Sequence, residues 1–291
     1  MLAECRCRLL RALSYASTRC ARSRARRLLG LGGLSAESLN AVPRPTSDQL
    51  ISSPDNELVR RLRRLAHRRE PGLALLEGPR VLAEAKAAGV EFEVLVVREG
   101  DKLPFHSSSR VTLAPSAYRA ATQTVTPQGV MAIARVHDAS PQDAIAAARE
   151  KGWPLVVLDG IQDPGNVGAI CRTAAAAGAP AVAVLEGSAD PFGAKAVRAS
   201  AGNVFRLVVA RASWSDLDGV EGYGTAARGR TTLAEAAVEN AGMIVFGSEA
   251  HGLSRRDQEE VSIPLISGVE SLNVAAAAAV ILFELARRKA A

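Results

Sequence analysis

Leu158-Asp-Gly-Ile-Gln-Asp-Pro-Gly-Asn-Val-Gly-Ala-Ile-Cys-Arg172 carries the chain from an apolar strand into a helix. The run Leu155 to Leu158 is too short for a helix and suits a strand buried on both faces. Pro164-Gly165 then turns the chain, Asn166 stands where a helix would begin, and Arg172 follows six residues later. Outward from this unit the alternation repeats. Strands are expected at Leu155–Leu158, Ala181–Leu185, Val204–Val209, Met243–Phe246 and Ser262–Leu265. Helices are expected at about Val167–Ala177, Ala194–Ala201, Leu233–Glu239, Arg255–Glu260 and Val274–Lys289. Gly178 and Gly202 fall where helices should stop, and Ser254-x-x-Asp257 reads as a capping box. The pattern is that of an α/β domain with a doubly wound parallel sheet. Such sheets bind ligands beyond the carboxyl ends of their strands. The glycine fingerprint Gly-x-Gly-x-x-Gly after a strand is absent, which argues against an ordinary dinucleotide site.

The region before Leu155 is different. Residues 55–70 read as a helix with Leu58, Leu62 and Leu65 on one face and Arg60, Arg61, Arg63, Arg64, Arg68 and Arg69 around it, ending at Pro71-Gly72. A short α/β unit follows, with strands at Leu73–Leu76, Phe92–Val97, Val111–Leu113 and Val130–Ala134, and a helix from Pro79 to Ala88. The boundaries read as an extension at 1–45, a small α/β domain at 46–136 and a larger one at 137–291.

Charge is distributed unevenly along the 291 residues. Residues 1–69 hold 15 arginines and five acidic residues, a net of +10, which leaves −4 for the remainder of a chain totalling +6. A basic segment on a mildly acidic body points to a polyanionic partner. Residues 1–45 allow three readings: an Arg-rich, acid-poor transit peptide for the mitochondrial matrix, a flexible RNA-binding arm, or a plain one, a poorly ordered tail or a start assigned too far upstream. The longest apolar run, Val274 to Phe283, stops at Glu284 after ten residues, so a membrane-spanning helix is not expected. Four cysteines are too few and too lopsided for a disulfide framework and suggest a reducing compartment, the cytoplasm. Cys5-Arg-Cys7 lacks a second Cys/His pair nearby, so no metal site is expected.

Two later segments have the same strand-to-loop character as the first. Val245-Phe-Gly-Ser-Glu-Ala-His-Gly-Leu-Ser254 contains Gly247, which permits close backbone approach, and Glu249. Ile263-Pro-Leu-Ile-Ser-Gly-Val-Glu-Ser-Leu-Asn273 leads into a long helix whose start favours an anion. Seen singly, Asn166, Ser271 and Asn273 are helix caps, Arg172 is a solvated helix arginine, and Glu249 is a surface turn residue. Arg172 is unusual only in lying among Ala169, Ile170, Ala174 and Ala175.

In order and content the three segments resemble the signature motifs of the SpoU/TrmH family, knotted RNA 2'-O-ribose methyltransferases. The resemblance is strong after Leu155. It is moderate over Glu77-Gly-Pro-Arg80 and Val81-Leu-Ala-Glu84, which are similar to the small substrate-binding domain of rRNA-modifying members. It implies a trefoil-knotted C-terminal domain and S-adenosylmethionine as methyl donor. It also implies catalytic roles for Asn166, Arg172, Glu249, Ser271 and Asn273, and donor binding by Gly247, Ile263 and Leu272, the last two through their main chains. By resemblance Arg172 contacts the ribose and assists deprotonation; a guanidinium stays protonated in proteins, so stabilisation of the forming alkoxide is favoured over a transient base role. The implied partners are RNA, with 23S-type rRNA ahead of tRNA, and a second copy joined through the C-terminal domain. His251, where many relatives have glycine, receives no role. The rival reading is a non-catalytic RNA-binding or ribosome-assembly protein with the same fold, which would not bind S-adenosylmethionine.

Overall fold

A computed structural model describes residues 50–107, 110–122, 124–248, 251–255, 257–266 and 268–290. The basic extension 1–45 and Glu249 therefore lie outside the described residues. In chain order the strands and helices are β1 (Leu50–Ile51), α1 (Glu57–His67), β2 (Leu73–Glu77), α2 (Pro79–Ala87), β3 (Phe92–Arg98), β4 (Val111–Leu113), α3 (Pro115–Ala121), β5 (Val130–Arg135) and α4 (Pro141–Glu150). They continue with β6 (Leu155–Asp159), α5 (Pro164–Ala177), β7 (Ala181–Leu185), α6 (Ala194–Ala199), β8 (Val208–Ala212), β9 (Gly222–Thr225), β10 (Thr231–Thr232), β11 (Met243–Gly247), β12 (Glu259–Ser262) and α7 (Val274–Lys289).

The first five strands form one sheet in the order β1-β4-β3-β5-β2, with β5 antiparallel to both its neighbours. Alternation sorts its side chains. Leu73 and Leu75 pack with Leu58, Leu62 and Leu65 of α1 and with Tyr118 of α3 on one face. Ala74 and Leu76 pack with Val81, Leu82 and Ala85 of α2 on the other. Burying Leu62 completely contributes about 1.5–3 kcal/mol.

The other seven strands form an entirely parallel sheet, β10-β12-β9-β11-β6-β7-β8. Every residue of β6, β7 and β11 is buried, because α4 covers one face while α5, α6 and α7 cover the other. Helices α5 and α6 approach closely at Gly168, where an added Cβ would lie 2.3 Å from the Ala196 carbonyl oxygen. β12 is inserted between β9 and β10, although both precede it in the chain.

Several expected elements differ. Asp163, not Asn166, caps α5, its carboxylate accepting from Gly165 N at 3.1 Å. Pro164 can begin the helix because the first turn has no internal use for the missing N–H. The strand expected at Val204–Val209 is a 3-10 turn at Asn203–Arg206 followed by β8. The helix expected over Leu233–Glu239 is a short 3-10 turn at Val238–Asn240. Here Arg288 takes the carbonyls of Leu233 and Ala236 that a helix would have bonded internally. The helix expected over Arg255–Glu260 and the strand over Ser262–Leu265 are replaced by β12. Ser254 does not cap: both its N–H and its hydroxyl bind Asp159. Capping boxes form instead at Ser140 with Asp143, at the start of α4, and at Ser213 with Asp216, before a 3-10 turn.

Candidate active site

Parallel pairing sets β11 beside β6 in register, so Gly247 and Asp159 end level with each other. The segment leaving β11, with the ends of β9 and β12, the stretch after β12 and the start of α7, lines a cleft of about 430 Å³. Its walls include Gly247, Ser248, His251, Gly252 and Leu253 from the second motif, and Ile263, Leu265, Ser271 and Leu272 from the third. The volume falls within the roughly 300–1,000 Å³ of small-molecule sites. Gly247 is required by packing: a Cβ there would lie 2.5 Å from the Gly252 carbonyl carbon. Ser248 and Gly252 exchange backbone hydrogen bonds of 3.0 and 2.8 Å, which tightens the loop between them.

The first motif joins the second through Asp159, which accepts from Ser254, and the start of α7 through Asn166. Asn273 caps α7, its side-chain oxygen accepting from Ala275 N and Ala276 N, while its amide donates to Asn166 Oδ1 at 3.2 Å. Asn166 is the third residue of α5, so the starts of α5 and α7 meet. Lys195 donates to the capping Asp163 at 2.7 Å, and that bond, with Gly165 N–H, holds the Asp163 carboxyl below its ordinary range. One turn and two-thirds along α5, Arg172 is exposed. It lies about 9 Å further along the axis than Asn166, and it does not line the cleft. Among the described residues it makes no ion pair. Its neighbour Cys171 is fully buried, and burial pushes the thiol up to about 12.

The six arginines expected to meet RNA divide into two groups. Arg60, Arg63, Arg64 and Arg68 are exposed. Arg61 donates to Glu93 at 2.8 Å and lies 3.5 Å from Glu70. Arg69 is half-buried, donating to Asp190 at 2.6 Å and Asp138 at 3.2 Å with its guanidinium over the Phe192 ring.

Three parts of the site escaped the sequence reading. Thr225, Ala226 and Ala227 line the cleft after β9, a strand disguised by its glycines. Glu260 lines it from β12, which reads locally as helix. Asp159, 3% exposed, was passed over as the last residue of an apolar run. A charged residue ending a buried strand was the available signal. Among the described residues there is no group of three or more His, Cys, Asp or Glu side chains able to hold a metal, and no helix long and apolar enough to cross a membrane.

Comparison with known proteins bears on this geometry. Residues 154–283 match the model of the SpoU rRNA Methylase family, and residues 56–132 match an MRM3-like substrate binding domain. The chain is 32% identical over 252 residues to the 23S rRNA (guanosine(2553)-2'-O)-methyltransferase RlmP of Bacillus subtilis, covering 81% of this chain and 98% of that protein. It is 42% identical over 165 residues to an uncharacterized tRNA/rRNA methyltransferase of Mycobacterium sp. (strain KMS), and spans about half the length of that relative, 52%. Among solved structures it is similar to an AdoMet-bound rRNA methyltransferase from Sinorhizobium meliloti, with a TM-score of 0.70, 27% identity, and coverage of 82% of this chain and 98% of that one. The C-terminal parallel sheet, with β12 lying between β9 and β10, and its likeness to this methyltransferase are consistent with the α/β knot that the motifs imply. With both segments matched and the three motifs drawn together at the ends of β6 and β11, the chain belongs to the SpoU rRNA methylase family, whose members are S-adenosylmethionine-dependent RNA 2'-O-ribose methyltransferases.

Proposed function

We propose that this protein methylates a ribose 2'-hydroxyl of large-subunit rRNA, with residues 46–136 serving as the RNA substrate-binding domain and 137–291 as the methyltransferase domain. The observation that carries the reading is the cleft itself. The second and third motifs line it, and the Asn166–Asn273 hydrogen bond ties the first motif to the start of α7 beside it, across 107 residues of sequence. The rRNA target is supported by the near full-length likeness to a 23S rRNA enzyme.

The cleft fits the donor. Gly247 leaves backbone where a side chain would intrude, and Ile263, Leu265 and Leu272 offer apolar surface with main-chain polar groups at its edges. When bound, S-adenosylmethionine would supply an electrophilic methyl on its sulfonium, transferable to a ribose oxygen with S-adenosylhomocysteine as the leaving group and the hydroxyl proton passing to solvent. The protein's own part is positioning, which can supply about 7–11 kcal/mol of barrier lowering in favourable cases. Asn273 holds the start of α7 against Asn166, so the two helix starts that border the reacting ribose keep a fixed separation. Ser271 presents a hydroxyl in the cleft. Arg172 stands free to face the substrate and stabilises negative charge on the attacking oxygen. Glu249 keeps the catalytic role that the motif resemblance implies.

The protein acts as a homodimer through α7. Ala276, Val280, Phe283 and Arg287 are exposed at helical spacing, opposite the buried Ala278, Ile281, Leu282 and Leu285. Val280 and Phe283 are large and apolar, 44% and 52% exposed. Val280→Glu with Phe283→Glu should halve the mass measured by light scattering. The protein is assigned to the cytoplasm, which imaging of the tagged full chain tests against the mitochondrial matrix.

Arg172→Lys keeps the charge and loses the planar fork. Methyl transfer should fall at least about a hundredfold while RNA affinity stays within about twofold. Wild-type turnover in this variant would defeat the assignment. Mapping 2'-O-methyl positions in rRNA and tRNA from cells with and without the protein identifies the target.

A further inference from the structure

Asp159 is a buried carboxylate to which the family motifs give no role. It ends β6 level with Gly247 of β11. Its Oδ2 accepts from Ser254 N at 2.6 Å and its Oδ1 from Ser254 Oγ at 2.8 Å, across 95 residues of sequence. The platform it reaches from is fixed on the other side as well: Ser188 Oγ accepts from Ile161 N at 3.0 Å and donates to the Leu158 carbonyl at 3.1 Å. Trp214 Nε1 donates to the same Ser254 hydroxyl at 2.8 Å. Ser254 is therefore held from two directions, immediately after Gly252 and Leu253 in the cleft wall.

We propose that Asp159 is a positioning residue for the methyl donor, acting through Ser254 to hold the loop that walls the cleft. The loop's near end is fixed because Gly247 is the last residue of β11 and packs against Gly252. Among the described residues, its far end has no ladder partner between Gly252 and the start of β12 at Glu259. The double hydrogen bond to Asp159 supplies that anchor. A carboxylate is suited to the task because it accepts from an N–H and an O–H at once. Asparagine offers one acceptor and turns an N–H₂ toward the other donor.

The inference rests on the cleft being the S-adenosylmethionine site, and the test separates the two. With full-length protein and a transcribed rRNA fragment, Asp159→Asn should raise the KM for S-adenosylmethionine about tenfold, with kcat at saturating donor within about threefold. The Kd from calorimetry should rise in step, and exchange of the Ser254 amide with deuterium should accelerate. Ser254→Ala removes one exposed hydroxyl and tolerates folding better. It should raise KM about threefold, and combining it with Asp159→Asn should add less than about twofold, since both act on one contact. KM and Kd within twofold of wild type in both variants, with only the melting temperature lowered, would reduce Asp159 to a structural residue and overturn the proposal. A fall in kcat at unchanged KM would overturn it too. Absence of donor binding in the wild-type protein would instead sink the functional reading.

Discussion

Replacing Arg69 tests whether the arginines around α1 act on RNA or on the fold. Its side chain is 13% exposed, and its two carboxylate partners, Asp190 and Asp138, are 28% and 33% exposed. Each charge-assisted hydrogen bond is worth about 1.5–3 kcal/mol when sheltered. Three features reduce the total. The carboxylates are partly solvated, Arg211 remains 2.8 Å from Asp190 to neutralise it, and the buried Nη1 of Arg69 finds no partner. Losing the packing on Phe192 adds about 0.5–1 kcal/mol. Arg69→Ala should therefore cost about 3 kcal/mol, between the values for exposed and fully buried pairs. That corresponds to a melting temperature lower by about 6–12 °C. Arg69→Lys should recover roughly half, since an ammonium keeps the charge without the fork. The assay is urea and thermal unfolding beside RNA binding measured at several salt concentrations. An unchanged melting temperature with a flatter plot of log affinity against log salt would show that Arg69 spends its charge on phosphate, and the argument from its ion pairs would fail.

The exposed arginines should behave in the opposite way. Replacing Arg60, Arg63, Arg64 and Arg68 with alanine should reduce the salt slope of RNA binding by about 3 for a single-stranded target and leave unfolding unaltered; an unchanged slope means that this face does not meet RNA. Gly247→Ala should abolish calorimetric binding of S-adenosylmethionine, because the new Cβ would lie 2.5 Å from backbone carbon at Gly252, and retained binding would place the donor elsewhere. The Glu284 carboxyl is held down to about 2 by hydrogen bonds from Arg287 and Arg288. Its contribution to stability should be complete above its ordinary 4.5 and lost as pH falls toward 2. The stability gap between wild type and Glu284→Gln, followed by urea unfolding, should close over that window.

The parts of the fold legible in the sequence were those decided by burial alone. β6, β7 and β11 are apolar runs because both their faces are covered, and a run of that length with turn residues beside it admits few other readings. β9 and β12 failed for different reasons. β9 is Gly-Tyr-Gly-Thr because neighbours crowd it: a Cβ at Gly222 would lie 2.1 Å from the Met243 carbonyl oxygen, and one at Gly224 2.3 Å from the Leu253 side chain. The residues that permit the strand are the ones that hide it. β12, Glu-Glu-Val-Ser, has a single fully buried residue, Val261, so its pairing with β9 and β10 leaves almost no trace in its composition.

The same distinction divides the site. Gly247, Ile263, Ser271 and Leu272 were legible as motif residues and share one cleft, yet no local rule could say that they face one another. That follows from strand order. β11 lies beside β6 although four strands intervene in the chain, and β12 is threaded between two earlier strands. Asn166 can meet Asn273, and Asp159 can meet Ser254, only after both crossings are made. The donor cleft is thus a property of the closed topology: its walls come from the ends of β9, β11 and β12, paired in the sheet, and from the start of α7, whose far end Arg288 ties to the carbonyls of Leu233 and Ala236. Donor affinity and the docking of α7 are then linked, since Val274, Ala277 and Ile281 of that helix line the cleft and whatever loosens the helix opens the wall against which the donor binds.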